Sequence, residues 1–327
     1  MHGAARRRYR LPWPKVSFDA TFQAGFRYAG GFDGAVAESL RHSGPSFQHS
    51  EQTALIFTLK DHHMPRLSAA AILLLSALAP AVHAQKLVAD TPPDQSTMTV
   101  GLGVALVPEY LGGDKRRAVP VIVADYQHAS GFFASTSSGI GYKTMVGKVS
   151  LSGALGVAGS RSDRDHGLSK GSDALKGMGE IKSSAIGAFG VGYEFDGGIG
   201  VGLRAMVALS HRERGNSYEL GAQAPLFKND NYQLGVFASA TYSDRKNMQA
   251  FYGVTAAQSA ASGYKRYDTK AGFSHVNVGV NAQRKLNKNW SVNSMVGVVS
   301  LVGDAADSPL AKRKTAPLLA VTVNYAF

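Results

Sequence analysis

Three places in this sequence carry residue types that can do chemistry. Asp163-Arg164-Asp165-His166 sets carboxylates beside an imidazole, and Ser210-His211 with Glu213 supplies a hydroxyl, a base and an acid. Lys182, Glu194 and Arg204 are isolated charges in stretches otherwise built from apolar and small residues. A hydrolase needs a nucleophile in reach of a base that a third group orients. Neither histidine run has the spacing for this, and such side chains are ordinary on a wetted rim. None of the ten histidines lies four residues from another, so no helical metal pair is written in the chain. With no cysteine, disulfides, thiolate zinc sites, iron–sulfur clusters and thiol nucleophiles are excluded. These residues argue for no enzyme, no catalytic group, no cofactor and no metal, and attention passes to the elements that position them.

Glycine supplies 37 of 327 residues and charged residues only 18%, against averages of ~7% and ~25%. That combination suits a β-rich chain with few solvated faces. The formal net charge is +12. Residues 85–327 hold 26 Lys/Arg against 18 Asp/Glu, mostly in loop-like stretches, so no nucleic-acid-binding face is called for.

From Met64 the chain has the form of a secretory signal. Arg66 is a short basic head, Leu67 to Leu78 an apolar core, and Pro80 precedes Val82-His83-Ala84. The apolar run is shorter than the ~20 residues a membrane-spanning helix needs, and cleavage is expected between Ala84 and Gln85. Residues 1–63 show neither strand nor helix periodicity. They read as a disordered upstream extension with Met64 as the true initiator, or as a leader removed with the signal 64–84. Residues 85–96 then form a periplasmic N-terminal segment and 97–327 the folded domain.

That domain alternates with period 2. Tyr232, Leu234, Val236, Ala238, Ala240 and Tyr242 line one face of a segment whose other face is Gln233, Gly235, Phe237, Ser239 and Thr241. Val276, Val278, Val280 and Ala282 oppose His275, Asn277, Gly279, Asn281 and Gln283. The less apolar face is Gly, Ser, Asn, Gln and Thr, without the Lys/Glu density of a soluble exterior. Apolar outside and small-polar inside is the pattern of a membrane-spanning barrel. Tyr232 and Tyr242 bracket a stripe of roughly 23 Å at ~3.3 Å per residue and ~45° tilt, near the ~25 Å apolar band between aromatic girdles.

The fold expected is all-β, a transmembrane antiparallel up-and-down barrel. Candidate strands are 97–107, 117–127, 131–143, 147–160, 180–195, 198–212, 217–227, 231–245, 267–284, 289–302 and 315–327. Eleven is odd and such barrels have even numbers. At least one strand is therefore misread, within 108–146, and twelve is the expected count with ten as the alternative. Short turns at 196–198, 228–231 and 287–289 alternate with long loops at 161–179, 246–266 and 303–314. The last strand places Leu319, Val321, Val323, Tyr325 and Phe327 on one face and ends on an aromatic. It looks like the signature by which outer-membrane barrels are recognised for assembly.

Several segments in order resemble the MipA/OmpV family, an outer-membrane family named for MltA-interacting protein. They are Val107-Pro108-Glu109-Tyr110-Leu111-Gly112-Gly113-Asp114, Gly131-Phe132-Phe133-Ala134-Ser135-Thr136 with Gly139-Ile140-Gly141-Tyr142, and Leu175-Lys176-Gly177-Met178-Gly179-Glu180. Met248-Gln249-Ala250-Phe251-Tyr252-Gly253-Val254-Thr255, Gln258-Ser259-Ala260-Ala261-Ser262-Gly263-Tyr264 and Gly303-Asp304-Ala305-Ala306-Asp307-Ser308-Pro309 complete the set. The resemblance spans 95–327. It implies an outer-membrane barrel in contact with lipid and lipopolysaccharide. It also implies a scaffold that links a lytic murein transglycosylase to a murein synthase, with porin-like or adhesion-related members beside it. It carries over no catalytic residue.

The residues of these motifs have physical readings of their own. Pro108, Gly112 and Gly113 suit a turn leaving a strand. Tyr110 is read as a girdle aromatic in preference to a partner contact. Phe251, Tyr252 and Gly253 form either a constriction folded into the mouth or an aromatic anchor at the interface. Lys182, Glu194 and Arg204 take inward parity on neighbouring strands, either pairing with one another to fill the lumen or lining it for a charged solute. At about twelve strands a narrow or occluded lumen is expected. Three functions follow: a non-enzymatic scaffold for murein-processing enzymes, a small diffusion pore or gated channel, and a rim hydrolase acting on lipid or peptide through His166 or His211.

Overall fold

The computed structural model describes residues 92–165 and 170–327. The extension 1–63, the signal 64–84, the cleavage pair Ala84–Gln85 and His166 lie outside the described residues.

Twelve antiparallel strands close into one barrel, each hydrogen-bonded to its neighbours in sequence, with β12 returning to β1. They are β1 (Thr97–Pro108), β2 (Arg116–Gln127), β3 (Phe132–Ser135), β4 (Gly139–Val146), β5 (Val149–Ala158), β6 (Ser184–Glu194), β7 (Gly200–Ala208), β8 (Ser217–Lys228), β9 (Tyr232–Ser243), β10 (Gly272–Lys285), β11 (Trp290–Leu301) and β12 (Thr315–Ala326). Closure runs from Thr99↔Ala326 to Leu106↔Leu319, and the N–H of Phe327 donates to the Met98 carbonyl at 3.0 Å.

The expected strand 131–143 is two strands. Thr136-Ser137-Ser138 breaks it into the short hairpin β3–β4, which supplies the twelfth strand. Alternation runs through the break because a tight hairpin of this length keeps Phe132 and Tyr142 opposite one another. The expected strands 180–195, 198–212 and 267–284 start or end several residues too far into the loops.

Parity decides the two faces. Leu102, Val104, Leu155, Phe189, Leu203, Leu220, Val278, Val296, Val321 and Val323 point outward and are exposed. Ala105, Ser150, Thr241, Thr322 and Asn324 point inward and are buried. An apolar exterior around a closed sheet is what hydrocarbon demands, since every strand group must find its partner inside the sheet. Among the described residues no helix is long and apolar enough to cross a membrane, and the crossing is made by strands.

Aromatic contacts mark the two edges of the band. Trp290–Tyr325 (5.1 Å between ring centroids), Tyr325–Phe327 (4.9 Å) and Tyr193–Phe195 (4.7 Å) lie at the end where β1 begins and β12 finishes, with Tyr218–Tyr242 (6.5 Å) and Tyr242–Phe273 (5.7 Å) at the other. At the end where β1 begins the turns are short. Asn229 Oδ1 accepts from the N–H of Asn231 and Tyr232, and Asn287 Oδ1 from Asn289 and Trp290. Gly197 and Gly198 both take positive φ in the three-residue turn 196–198, across which the Phe195 N–H donates to the Ile199 carbonyl at 2.8 Å. The long connections 159–183, 209–216, 244–271 and 302–314 all leave the opposite end, as extracellular loops do in such barrels.

Candidate functional site

The inner wall has two unlike halves. On β1, β2, β11 and β12, Ala105, Val107, Val119, Met295, Val299, Ala316, Leu318 and Ala320 form one apolar cluster. Phe237 reaches this cluster from β9 across Gly279, whose absent side chain leaves room for the ring: a Cβ there would stand 2.6 Å from Phe237 Cζ. The remaining strands turn polar groups inward. Lys143 Nζ donates to Gln127 Oε1 at 2.8 Å, Asn277 Nδ2 to Ser239 Oγ at 3.2 Å, and Arg204 meets Glu219 at 3.9 Å. Ser274, in the bulge of β10, donates to the Thr241 carbonyl at 3.1 Å and contacts His275 Nδ1 at 3.0 Å.

The expected pairing of Lys182, Glu194 and Arg204 with one another is corrected. Lys182 precedes β6 and is exposed in the long-loop region, whereas Glu194 ends β6 at the short-turn edge. Only Arg204 faces the lumen from mid-strand, and its carboxylate is Glu219, directly opposite in the β7–β8 register.

The long loops fold over the mouth as a cap. Its helices are α1 (Arg245–Tyr252) and α2 (Ala256–Ser262), followed in sequence by α3 (Gly303–Ala306). Asp244 caps α1 by accepting from the Asn247 N–H at 2.7 Å, and Thr255 with Gln258 closes a capping box on α2. The α1 face formed by Met248 and Tyr252 packs on Leu301 and Ala305. Tyr110, Leu175, Met178, Val254 and Leu310 make a second apolar cluster drawn from four different loops. Hydrogen bonds cross-link these loops: Tyr110 Oη to the Leu310 carbonyl (3.0 Å), Tyr264 Oη to Ala174 (2.8 Å), Tyr267 Oη to Asp304 (3.0 Å), and Gln258 Nε2 to Met178 (2.8 Å). Pro108 ends β1, and Gly112, at φ 100°, turns the chain so that its carbonyl accepts from the Arg313 N–H at 3.0 Å.

Tyr110 is therefore not a girdle aromatic. It is 7% exposed inside the cap, and burial raises its hydroxyl pKa above the ordinary tyrosine range. Tyr252 is buried and likewise raised by burial, and Ser308 Oγ donates to its carbonyl at 2.6 Å. Gly253 donates its N–H to Gln249 at 3.0 Å as α1 ends. Phe251 looks the other way, toward two arginines. Arg161 donates to the carbonyls of Phe251 and Ala250, and its guanidinium lies 5.5 Å from the Phe251 ring. Arg214 lies 5.0 Å from the same ring and donates to the Gly159 carbonyl at 2.6 Å. Burial pulls each guanidinium down to about 10. The structure thus places Phe251 and Tyr252 over the mouth.

A cleft of about 960 Å³ lies between Glu109 and Arg117 on one side and the 159–183 connection on the other, with Ala261 at its edge. Its cations and anions largely satisfy each other: Arg164 meets Asp163 at 3.2 Å and Lys170 meets Asp165 at 2.7 Å. Ser172 Oγ donates to Glu109 Oε2 at 2.7 Å. Ser210 Oγ accepts from the Ala185 N–H at 2.9 Å, His211 sits exposed at φ 45°, and the two form no triad with Glu213 among the described residues.

Sequence reading missed Glu219, Lys143, Arg161 and Arg214. Glu219 carries inward parity on an expected strand, but its partner depends on the β7–β8 register, which alternation does not specify. Arg161 and Arg214 stand in polar loop text that looks solvated.

No curated protein matches this sequence. Among solved structures the chain is similar to a loop-deletion mutant of OmpT, an outer membrane protein of Vibrio cholerae, at 6% identity over 71% of this chain and 98% of that one, TM-score 0.31. It is similar to the CymD monoaromatic hydrocarbon channel at 12% identity over 80% and 93%, TM-score 0.32. For the outer membrane channel DcaP of Acinetobacter baumannii the figures are 11% identity over 73% and 100%, TM-score 0.28. Overlaps this slight say no more of the chain than its own strands do. The model of one family, MltA-interacting protein MipA, matches residues 100–327, nearly the whole barrel with its cap. An apolar-sided closed barrel matched along that length resides in the outer membrane, and the chain belongs to the MltA-interacting protein MipA family.

Proposed function

We propose that the protein is a capped outer-membrane anchor that holds murein-processing enzymes at its periplasmic side. The observation that carries this reading is the cap. Loops from around the rim interlock through apolar clusters and side-chain-to-carbonyl bonds across the mouth. A steady diffusion pore has no use for such a closure, whereas an anchor needs only the wall and its inner end. The family name supplies the partner class, a lytic murein transglycosylase, and the resemblance adds a murein synthase. Docking falls to residues 85–96 and the short turns. The test is retention of a purified periplasmic lytic transglycosylase by the immobilised barrel, with a barrel lacking residues 85–96 and an unrelated barrel beside it. Retention above the unrelated barrel, reduced by the deletion, is expected; equal retention by all three refutes the reading.

A second reading, a gated channel, is favoured by the polar half of the lumen with Lys143 and the Arg204–Glu219 pair. Planar-bilayer recording separates the two. Discrete openings whose size changes in Arg204→Ala support a channel, and a silent bilayer supports the anchor.

A further inference from the structure

The barrel wall has one low place. β3 pairs with β2 only at Asp125–Gln127, and β4 reaches no higher on β5 than Leu155. β1 and β6 accompany β2 and β5 along their full lengths. Toward the long-loop end, residues 116–123 of β2 therefore face residues 156–158 of β5 with no strand between them. A bilayer does not tolerate open strand edges, and the chain has blunted this one. Thr136 donates its N–H to the Ala124 carbonyl at 3.0 Å, while its Oγ1 accepts from the Ala124 N–H (3.2 Å) and donates to the Ile122 carbonyl (3.0 Å). The next residue on that edge is Pro120, which has no N–H to leave unpaired. An edge ended by a hydroxyl and a proline is poorly suited to accept another strand.

The outward surface of the notch is apolar: Ala118, Pro120 and Ile122 on one side, Ile140 and Leu155 on the other, all exposed. Directly above, Arg116 shares their outward parity, while Arg117 turns in to the carbonyls of Glu109 and Lys170. Lys115 precedes Arg116, and Arg313 is brought alongside through its backbone bond to Gly112. These three exposed cations make no ion pair among the described residues. The other cations of this edge are engaged elsewhere: Lys314 pairs with Asp307 at 3.2 Å and Lys312 lies over the Tyr264 ring. Lys115 and Arg116 directly above an apolar slot fit an amphiphile with an anionic head and an acyl tail. Arginine's planar fork matches phosphate oxygens two at a time.

We propose that the notch between β2 and β5 binds one bisphosphorylated glycolipid of the outer leaflet, of the lipid A type. An acyl chain lies against Pro120, Ile122 and Leu155, and a phosphate rests on Lys115 and Arg116. The site is independent of the anchor reading, because it uses the lipid-facing wall near the long loops and no periplasmic surface.

Native mass spectrometry of the purified barrel in detergent tests it, with lipid A, dephosphorylated lipid A and phosphatidylglycerol as separate probes. One lipid A per chain is expected, held at least tenfold more tightly than either other probe. Lys115→Gln/Arg116→Gln is expected to lose about tenfold in lipid A affinity, and Ala118→Trp, which fills the slot, to lose as much with the charges intact. Lys285→Gln/Lys288→Gln, the same charge change at the opposite end, is expected to bind as wild type; heat-modifiable gel mobility reports folding of every variant. Equal binding of dephosphorylated lipid A, equal binding of phosphatidylglycerol, or unchanged binding by folded Lys115→Gln/Arg116→Gln each overturns the proposal.

Discussion

Arg204 on β7 and Glu219 on β8 occupy a single register position and meet at 3.9 Å inside the wall, each side chain 16% exposed. A pair this desolvated differs from the exposed Lys148–Asp196 contact at the turn below, where solvent screening leaves little net gain. Replacing Glu219 by Gln is expected to cost about 1–3 kcal/mol, since a desolvated guanidinium loses its carboxylate. Arg204→Met/Glu219→Leu is expected to recover most of that loss. Urea unfolding in lipid vesicles measures both, with Trp290 as the sole tryptophan of residues 85–327; equal stability of Glu219→Gln and wild type would mean the pair contributes nothing.

Tyr110→Phe removes the loop-to-loop donor to the Leu310 carbonyl, which keeps the Lys312 N–H as its remaining partner. The expected cost is about 0.5–1.5 kcal/mol, confined to the cap. Hydrogen exchange at Val254 and Met178 should quicken by about tenfold for each 1.4 kcal/mol lost, while the strands keep their protection. Uniform acceleration across strands and cap alike would contradict a separate cap unit.

Asp163 ties the 159–183 connection to its own turn. Burial pushes its carboxyl up, but the Arg164 side chain and the backbone N–H groups of Gly179 and Gly177 outweigh burial and hold the pKa below the ordinary value of 3.8. A carboxyl depressed in the folded state contributes stability that is complete above the unfolded value and is lost as pH falls through the lower, folded one. The Gly177 and Gly179 amides should therefore stay protected on acidification to about pH 4 and open only below the ordinary carboxylate range. Asp163→Asn should leave them unprotected even at neutral pH, and NMR-detected exchange reads both.

Phe327 closes the sheet through its N–H to Met98 and meets Tyr325 edge to face, as Tyr325 in turn meets Trp290. Phe327→Ala is expected to lower the folded fraction recovered from outer membranes severalfold and to leave soluble expression unchanged. Heat-modifiable mobility gives the folded fraction; parity with wild type would remove the terminal aromatic from assembly.

Processing is predicted between Ala84 and Gln85. Intact-mass measurement of protein recovered from outer membranes should give a chain beginning at Gln85, and retention of Arg66 or anything before it would show that the signal reading is wrong.

Much of the wall was legible because its physics is local. Alternation along β9 and β10 follows from side chains pointing to opposite faces, so Tyr232 to Tyr242 and Val276 to Ala282 announce an apolar exterior without knowledge of any partner strand. Parity in the last strand likewise separates Leu319, Val321 and Val323 from Ala320, Thr322 and Asn324. The β3–β4 hairpin was legible only as a counting problem, since a tight turn leaves the alternation on either side in phase.

Which strands meet at which residue, and therefore that Arg204 faces Glu219 and not Glu194, depends on register between segments. The burial of Tyr110 and the two arginines beside Phe251 depend on loops far apart in sequence arriving over one mouth. From the amino-acid order alone came a closed, lipid-facing sheet with an even number of strands, twelve or ten, because period-2 polarity and the need to satisfy every backbone group in hydrocarbon admit little else. The cap, the lumen pair and the notch were decided only by tertiary structure, because each exists through contacts whose energy no single segment contains.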